Sequence, residues 1–221
     1  MAKSSVLSSS IAKKVAMALS GLFLVSFLSL HFFINLTSVF SADTFNVCSH
    51  FMGNNPLIQF VMQPILVAGV FFHFIMGFVL DFKNRNARPI RYAKNNGAAN
   101  SSWASRNMII SGSVILAFFG LHFYDFWIPE MIYKYVDVNP LESTRYYPEL
   151  IHKFESPIRT TLYCLSFILL SLHLWHGFNS SFQSVGFNNK FSKALHKLGY
   201  AFAIIVPFGF IFIALFHHFN H

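Results

Sequence analysis

The hydrophobic residues of this chain fall into five long blocks that are separated by shorter polar segments. Each block is near the roughly 20 residues that a helix needs to cross a bilayer. The pattern predicts an all-α integral membrane bundle of five transmembrane helices in a single membrane domain, 1–221. The expected helices cover residues 14–36, 56–82, 106–128, 157–178 and 195–217.

The composition also indicates a membrane protein. Hydrophobic residues make up 54% and charged residues 11% of the 221 positions, which leaves too little polar surface to cover a soluble fold. The first block is longer than the apolar core of a signal peptide, so we expect it to be retained. Cys48 and Cys164 lie in different kinds of segment and form neither a disulfide framework nor a paired-cysteine metal site.

The formal net charge of +8 comes from short basic clusters between the apolar blocks. Lys and Arg precede the first span and recur between the second and third and between the fourth and fifth. This distribution follows the positive-inside rule, so it predicts a cytoplasmic N-terminus and argues against nucleic-acid binding. On the opposite side, the segment 129–155 is expected to form a cap along the outer interface.

An internal repeat relates the spans in pairs. The first and third spans share one pattern at an offset of 91 residues: Met17, Ser20, Gly21 and His31 match Met108, Ser111, Gly112 and His122. The second and fourth share His-x-x-x-Gly-Phe, which begins at His73 and His173. We expect a doubled pair of helices plus one extra helix, with a pseudo-axis along the membrane normal.

Each of the first four spans carries one histidine at these matched positions. An ionisable side chain at that depth is costly, so it marks a functional site by default. With a rise of about 1.5 Å per residue, His31 and His122 lie toward the outer face, and His73 and His173 toward the inner face. The depths predict two bis-histidine metal centres, one formed by His31 with His122 and one by His73 with His173.

Two haem b groups are the cofactors that such pairs favour. A b-type haem is held by axial imidazoles alone and fits between facing helices, whereas zinc requires three or four ligands at one depth. Gly77 and Gly177 each follow a paired histidine by four residues, on the same helical face. We expect these glycines to let a porphyrin lie against the backbone.

Three more residues are predicted to contact the cofactors. His176 competes with His173 as the fourth ligand, but Ser180 replaces the glycine four residues on, so a bond to a haem propionate or a neighbouring helix is expected for it. Ser20 and Ser111 lie about 16 Å below the outer histidines and are expected to line the inner haem pocket, with a bond to their own helix carbonyl as the alternative. The other histidines, including His217, are expected to be solvated at loops or helix ends.

The chain resembles the family of five-helix, di-haem cytochrome b membrane-anchor subunits of succinate:quinone oxidoreductases. The resemblance covers nearly the whole chain. Its marks are one histidine in each of the first four helices, Asn86-Ala87-Arg88-Pro89-x-x-Tyr92, Ser102-Trp103-Ala104-Ser105-Arg106, and His173-x-x-x-Gly177 with Gly186. In that family, the axial ligands match His31, His73, His122 and His173.

The resemblance implies a function in respiratory electron transport. A partner flavoprotein subunit interconverts succinate and fumarate, and a partner iron-sulfur subunit exchanges electrons with this chain, which passes them through two haems to membrane menaquinone. It also implies a location in the cell inner (cytoplasmic) membrane, in contact with lipid. The residues leave the quinone site open among Asn35, Gln59, Gln63, Tyr124 and Asp125.

Other functions remain open at this stage. A cytochrome b subunit of a hydrogenase or formate dehydrogenase, or a free-standing b561-type reductase, would keep the haems and change the partner. A haem-free transporter with proton-relaying histidines predicts a colourless protein. A membrane di-iron enzyme is disfavoured because His173 and His176 are expected on the opposite side of the membrane from the C-terminal histidines.

Overall fold

The computed structural model describes residues 9–86, 106–187, 189 and 191–220. Within these residues the chain is helical and contains no strand. Five helical segments are long and apolar enough to cross a membrane, which confirms the predicted all-α bundle. The family marks at 87–105, with Arg88 among them, and the C-terminal His221 lie outside the described residues.

The five spans are longer than the hydrophobic pattern predicts. The helices are α1 (Ser10–Phe40), α2 (Ala42–Asn54), α3 (Gln63–Asn86), α4 (Met108–His122), α5 (Ile128–Tyr135), α6 (Tyr146–Phe154), α7 (Pro157–Ser184) and α8 (Ser192–Phe219). The first, fourth and fifth spans are α1, α7 and α8. The second span, Ile58–Asn86, adds a π-helical turn before α3, and the third, Met108–Tyr135, joins α4 to α5. We call inner the end of the bundle at which α1 begins, and outer the opposite end.

Local capping explains where the helices begin and end beyond the apolar blocks. The Ser9 hydroxyl accepts a hydrogen bond from the amide of Ala12 at 3.1 Å, so α1 begins four residues before the predicted start. After α7, Gly186 has a φ of +86°, which a residue without a Cβ adopts readily. The amides of Gly186 and Phe187 donate to carbonyls in the last turn at 3.2 and 3.0 Å, as in a Schellman motif.

Two π-helical turns interrupt the second and third spans near the outer end. They cover Ile58–Met62 and Phe123–Trp127, the latter directly after His122. A π turn inserts an extra residue into the helix and often occurs at functional sites. The pattern of apolar residues does not reveal such turns, because both segments read as continuous apolar helix.

Helices α7 and α8 form the best-packed part of the bundle. Pro207 lies inside α8 and cannot donate to the carbonyl of Ala203, four residues earlier. Ser171 of α7 donates to that carbonyl at 2.6 Å, and Ala203 is completely buried. A side chain of the neighbouring helix therefore satisfies the polar group that the proline frees, as the interior of a membrane requires.

The outer end is closed by three short helices, α2, α5 and α6, held by buried charges. Arg145 bonds Glu149 at 2.8 Å and also contacts Glu130, while Lys134 bonds the Gly53 carbonyl at 2.6 Å. Burial alone would lower the pKa of Arg145, but its bonds to the two carboxylates raise that pKa above its ordinary value. The expected cap is therefore a folded layer, and α2 is an element that the sequence analysis did not predict.

Candidate functional site

His31 and His122 face each other between α1 and α4 near the outer end. Their ring centroids are 5.8 Å apart, with an angle of 85° between the planes. Phe27 stacks on His31 at 5.5 Å, and Phe118 packs against His122 at 5.9 Å. Both phenylalanines precede their histidine by four residues, on the same helical face, so the repeat extends to the packing around each ring.

His73 and His173 face each other between α3 and α7, nearer the inner end. Their ring centroids are 6.4 Å apart, and the planes meet at 69°. Ser20 lies at the level of this inner pair, because its hydroxyl contacts His73. Since Ser20 and His31 are eleven residues apart on one helix, the inner and outer pairs are separated by about 16 Å along the bundle. The two contacts are the ones that the depths predict.

Each histidine of the inner pair has a serine partner. Ser20 Oγ lies 3.0 Å from Nδ1 of His73, and Ser111 Oγ lies 3.2 Å from Nδ1 of His173. Each hydroxyl also donates to the carbonyl of Met17 or Met108, at 2.8 and 3.0 Å. The bond to their own helix carbonyl, predicted as the alternative for these serines, is therefore present, and their place in a haem pocket stays a prediction.

The serine contacts favour one tautomer of each inner ring. A hydroxyl has one hydrogen, and the carbonyls of Met17 and Met108 can only accept it. With that hydrogen on the carbonyl, the hydroxyl oxygen of Ser20 or Ser111 accepts from a protonated Nδ1 of His73 or His173. In a neutral imidazole this leaves the lone pair on Nε2, the form in which histidine binds a metal while its other nitrogen is held by a partner.

Four glycines lie where the helices of each pair approach. A Cβ on Gly21 would be 3.3 Å from Cε1 of His73, and a Cβ on Gly112 would be 3.7 Å from Cε1 of His173. A Cβ on Gly77 would be 3.6 Å from the methyl group of Met17, and a Cβ on Gly177 would be 3.4 Å from the methyl group of Met108. These are the two glycines predicted to face a porphyrin. A role for them in haem binding stays a prediction, and methionine is flexible enough to change its conformation beside a cofactor.

The centroid separations of both pairs are close to the spacing of two rings on one metal ion, and also to that of an ordinary edge contact between aromatic rings. A bond between a metal and an imidazole nitrogen is about 2 Å long, so two rings on opposite sides of one ion have centroids about 6 Å apart. The observed separations are 5.8 and 6.4 Å. All four histidines are half-buried as residues.

His122 and His31 differ from the inner histidines in their hydrogen bonds. Nδ1 of His122 is buried and has no hydrogen-bond partner among the described residues. The amide nitrogen of Asn35 lies 3.4 and 3.5 Å from the two ring nitrogens of His31, while it donates to the His31 carbonyl at 2.8 Å. The outer pair thus lacks the serine partners that orient the inner pair.

His176 does not take part in the inner pair. It lies on α7 one turn beyond His173 and is half-buried. The ring opposite His73, and the one bonded to Ser111, belongs to His173. Ligation by His173 and a bond from His176 to a haem propionate both stay predictions.

His217 was expected to be solvated, and this prediction is wrong. It is 2% exposed, and its Nε2 lies 2.8 Å from the hydroxyl of Ser38, which is equally buried. Ser38 also bonds the carbonyl of Asn35, and its contact with His217 joins the outer end of α8 to α1. The partner lies 179 positions away in the chain, so the local sequence carries no signal for this contact.

A groove of about 430 Å³ opens between the second and third spans near the outer end. Its walls are mostly apolar, and Gln59 donates a hydrogen bond to the hydroxyl of Tyr135 across it. Trp127, five residues after His122, also lines the groove. The volume lies in the range of small-molecule sites, and a few polar groups in apolar walls are typical of them. The lining is Gln59, Phe60, Gln63, Pro64, Val67, Ala68, Trp127, Met131 and Tyr135.

In comparisons with known proteins, no family model matches this chain, and no curated protein or solved structure matches it.

Proposed function

We propose that this chain is a di-haem cytochrome b and serves as the membrane anchor of a succinate:quinone oxidoreductase. The contact of four span histidines in two pairs, at two levels of the bundle, is the observation that carries the proposal. His31 with His122 and His73 with His173 are the axial ligands of the outer and inner haem in this account. The proposal rests on these pairs together with the family resemblance of the sequence.

The hydrogen bonds of the inner pair support ligation through Nε2. Ser20 and Ser111 hold the Nδ1–H of His73 and His173, so the lone pairs are available on the other ring nitrogens. Partners of this kind fix the orientation of a ligating histidine and raise its basicity. The serines would therefore keep each ring in its ligating tautomer in the absence of a metal.

A bound haem b supplies a one-electron carrier, and two imidazoles on its iron leave no open position for oxygen. The chain's own residues hold the rings in place and keep water away from them. Phe27, Phe118 and Phe210 pack around the outer pair. Because the pairs are separated by about 16 Å along the helices, the arrangement suits electron transfer from one side of a membrane toward the other.

The partner subunits belong to the proposal as well. The basic clusters predict that the inner end faces the cytoplasm, where the iron-sulfur subunit would dock and the flavoprotein subunit would interconvert succinate and fumarate. The chain has only eight acidic residues and two cysteines, so dicarboxylate and iron-sulfur chemistry is assigned to those subunits. The five spans support a multi-pass membrane protein, and the cell inner membrane is the location proposed.

The groove between the second and third spans is proposed as the menaquinone site. Of the residues named as candidates from the sequence, Gln59 and Gln63 line it, whereas Asn35, Tyr124 and Asp125 do not. Amide and phenol groups of Gln59, Gln63 and Tyr135 would bond the quinone oxygens, and the apolar walls would cover its ring. Trp127 connects the groove to the helix that carries His122.

The histidine variants test the haem assignment. Wild type and His31→Ala, His122→Ala, His73→Ala and His173→Ala are purified with haem supplied, and reduced-minus-oxidised spectra and haem content are recorded. His31→Ala and His122→Ala are each expected to remove the outer low-spin b haem. His73→Ala and His173→Ala are each expected to remove the inner one.

Two matched histidine variants serve as controls. His176→Ala tests the neighbour of a proposed ligand, and His152→Ala tests an exposed histidine of the outer cap. Both are expected to retain two haems. Retention of both haems in His173→Ala with loss in His176→Ala would reassign the fourth ligand, and a colourless wild type would overturn the proposal.

A further inference from the structure

Two buried side-chain atoms lack a hydrogen-bond partner among the described residues, and they lie close together in the chain. They are Nδ1 of His122 and Oδ1 of Asp125. The two residues are three positions apart, and Asp125 belongs to the π-helical turn that directly follows His122. Tyr163 contacts both residues, through its ring at His122 and through its hydroxyl at Asp125, so the two atoms lie beside the same tyrosine near the outer pair.

The other oxygen of Asp125 is firmly held. The Tyr163 hydroxyl donates to Oδ2 at 3.0 Å, and Nε of Arg159 lies 3.0 Å from the same oxygen. The Asp125 side chain is completely buried, whereas the Arg159 side chain is 29% exposed. Two bonds to Oδ2 fix the carboxylate plane and leave Oδ1 as its unused acceptor.

Tyr163 connects Asp125 to the histidine. Its ring centroid lies 6.3 Å from that of His122, while its hydroxyl bonds the carboxylate. Phe118 and Phe126 pack against both His122 and Tyr163. The carboxylate and the imidazole therefore share one aromatic enclosure on the side of His122.

The inner pair shows what is missing at His122. There, Nδ1 of each histidine lies within hydrogen-bond distance of a serine hydroxyl. Of the two serines of α4, Ser111 contacts the inner pair and Ser113 bonds the carbonyl of Ile109, so His122 needs a different acceptor. A metal-bound histidine usually donates its other N–H to a carboxylate, a carbonyl or a water.

We propose that Asp125 is the positioning residue of His122 and that it acts through one bound water. The Nδ1–H of His122 donates to the water, and the water donates to Oδ1 of Asp125. A polar site with at least two partners is the kind of place where a buried water is stable. The inference rests on the proposed function, because it assigns His122 as a ligand of the outer haem.

The consequence is an electrostatic difference between the two levels. The inner histidines contact neutral hydroxyls, whereas His122 in this proposal is oriented by a water that the Asp125 carboxylate holds. A negative charge beside a ligand disfavours the addition of an electron, and so does the more basic imidazole that a carboxylate partner produces. Asp125 thus lowers the reduction potential of the outer haem and leaves that of the inner haem nearly unchanged.

The test is a spectroelectrochemical titration of both haems in wild type, Asp125→Asn and Asp43→Asn. Asp43 is exposed on α2 at the same end, so its variant makes the same charge change away from the pair. Asp125→Asn is expected to shift the reduction equilibrium of the outer haem about tenfold toward the reduced form, or about 59 mV for one electron. Asp43→Asn is expected to leave both potentials unchanged.

Two further measurements separate positioning from general loosening of the helix contact. Tyr163→Phe removes one bond to Oδ2 but keeps the charge of Asp125 and the ring beside His122, so the potentials are expected to stay unchanged. In wild type, infrared difference spectra across the outer-haem transition are expected to contain a water O–H band that shifts in ¹⁸O-labelled water. That measurement decides the case if Asp125→Asn fails to fold.

The outcomes distinguish this inference from the proposed function. Two haems in wild type and in Asp125→Asn, with an unmoved outer potential, overturn the inference and leave the proposed function standing. The absence of an ¹⁸O-sensitive band overturns the water bridge in the same way. A wild type that binds no haem overturns the proposed function first, and the inference with it.

Discussion

Replacing Ser20 or Ser111 with alanine removes a hydroxyl group that contacts one ring of the inner pair. The lost contacts are 3.0 Å to His73 and 3.2 Å to His173. The ring N–H then loses its acceptor in an apolar setting, which costs about 1 to 3 kcal/mol. Loss of a partner behind a metal ligand typically weakens metal binding by roughly 10- to 100-fold, or about 1.4 to 2.8 kcal/mol, so the two figures agree.

The assay is a haem titration of the apo-protein, followed by the absorbance of the inner haem. Ser20→Ala and Ser111→Ala are each expected to weaken inner-haem binding by roughly 10- to 100-fold while the outer haem binds normally. Ser20→Thr and Ser111→Thr retain a hydroxyl and are expected to restore most of the affinity.

Matched controls are available on the same helices. Ser26 and Ser113 also donate to their own helix carbonyls, at 3.0 and 2.8 Å, but they are exposed and contact no histidine. Ser26→Ala and Ser113→Ala are expected to bind both haems like wild type. Equal effects of the inner and control serines would refute the reasoning from the tautomer.

Two other predictions concern stability. Gly199→Ala places a Cβ 2.6 Å from Oδ1 of Asn179, an atom that also contacts His196. We expect this variant to lower the free energy of unfolding by about 1 to 3 kcal/mol, measured by thermal unfolding. Gly120→Ala is the control and should leave the stability unchanged, because among the described residues no neighbouring atom lies within 4 Å of the added Cβ. Burial, and then the charge of Glu130, raise the pKa of Tyr146 above its ordinary value of 10.0, so folding favours the protonated phenol. The stability that this provides is present below the unfolded pKa and is lost as the pH rises through the folded pKa. The loss of stability is tested by phenolate absorbance and by the unfolding of wild type and Tyr146→Phe at alkaline pH. Identical alkaline pH profiles of the two proteins would contradict the prediction.

The pairing of the histidines followed from the sequence because helical geometry fixes depth. A constant rise per residue and the basic ends of the spans determine the level of each ring. The offset of 91 residues also predicted that α1 and α4 would present Ser20 and Ser111 in the same way. The structure adds that Ser20 and Gly21 lie against His73, and that Ser111 and Gly112 lie against His173. The pattern within one helix cannot predict such contacts, because they depend on how two helices pack.

The features that the sequence did not predict depend on distant partners or on small changes of helix geometry. The burial of His217 depends on Ser38, and the burial of Asp125 depends on Tyr163 and Arg159. In the π turn after His122, backbone hydrogen bonds join residues five positions apart, instead of four as in an α-helix. The amphipathic helix α2 is too short to cross a membrane, and its apolar residues are mixed with polar ones.

The haem content of the purified wild-type chain, expressed with sufficient haem, tests the central claim most directly. Two histidine pairs at two levels predict two low-spin b haems per polypeptide, with an optical spectrum that does not change when carbon monoxide is added. A protein with no Soret absorbance, or one haem that binds carbon monoxide, would contradict the account.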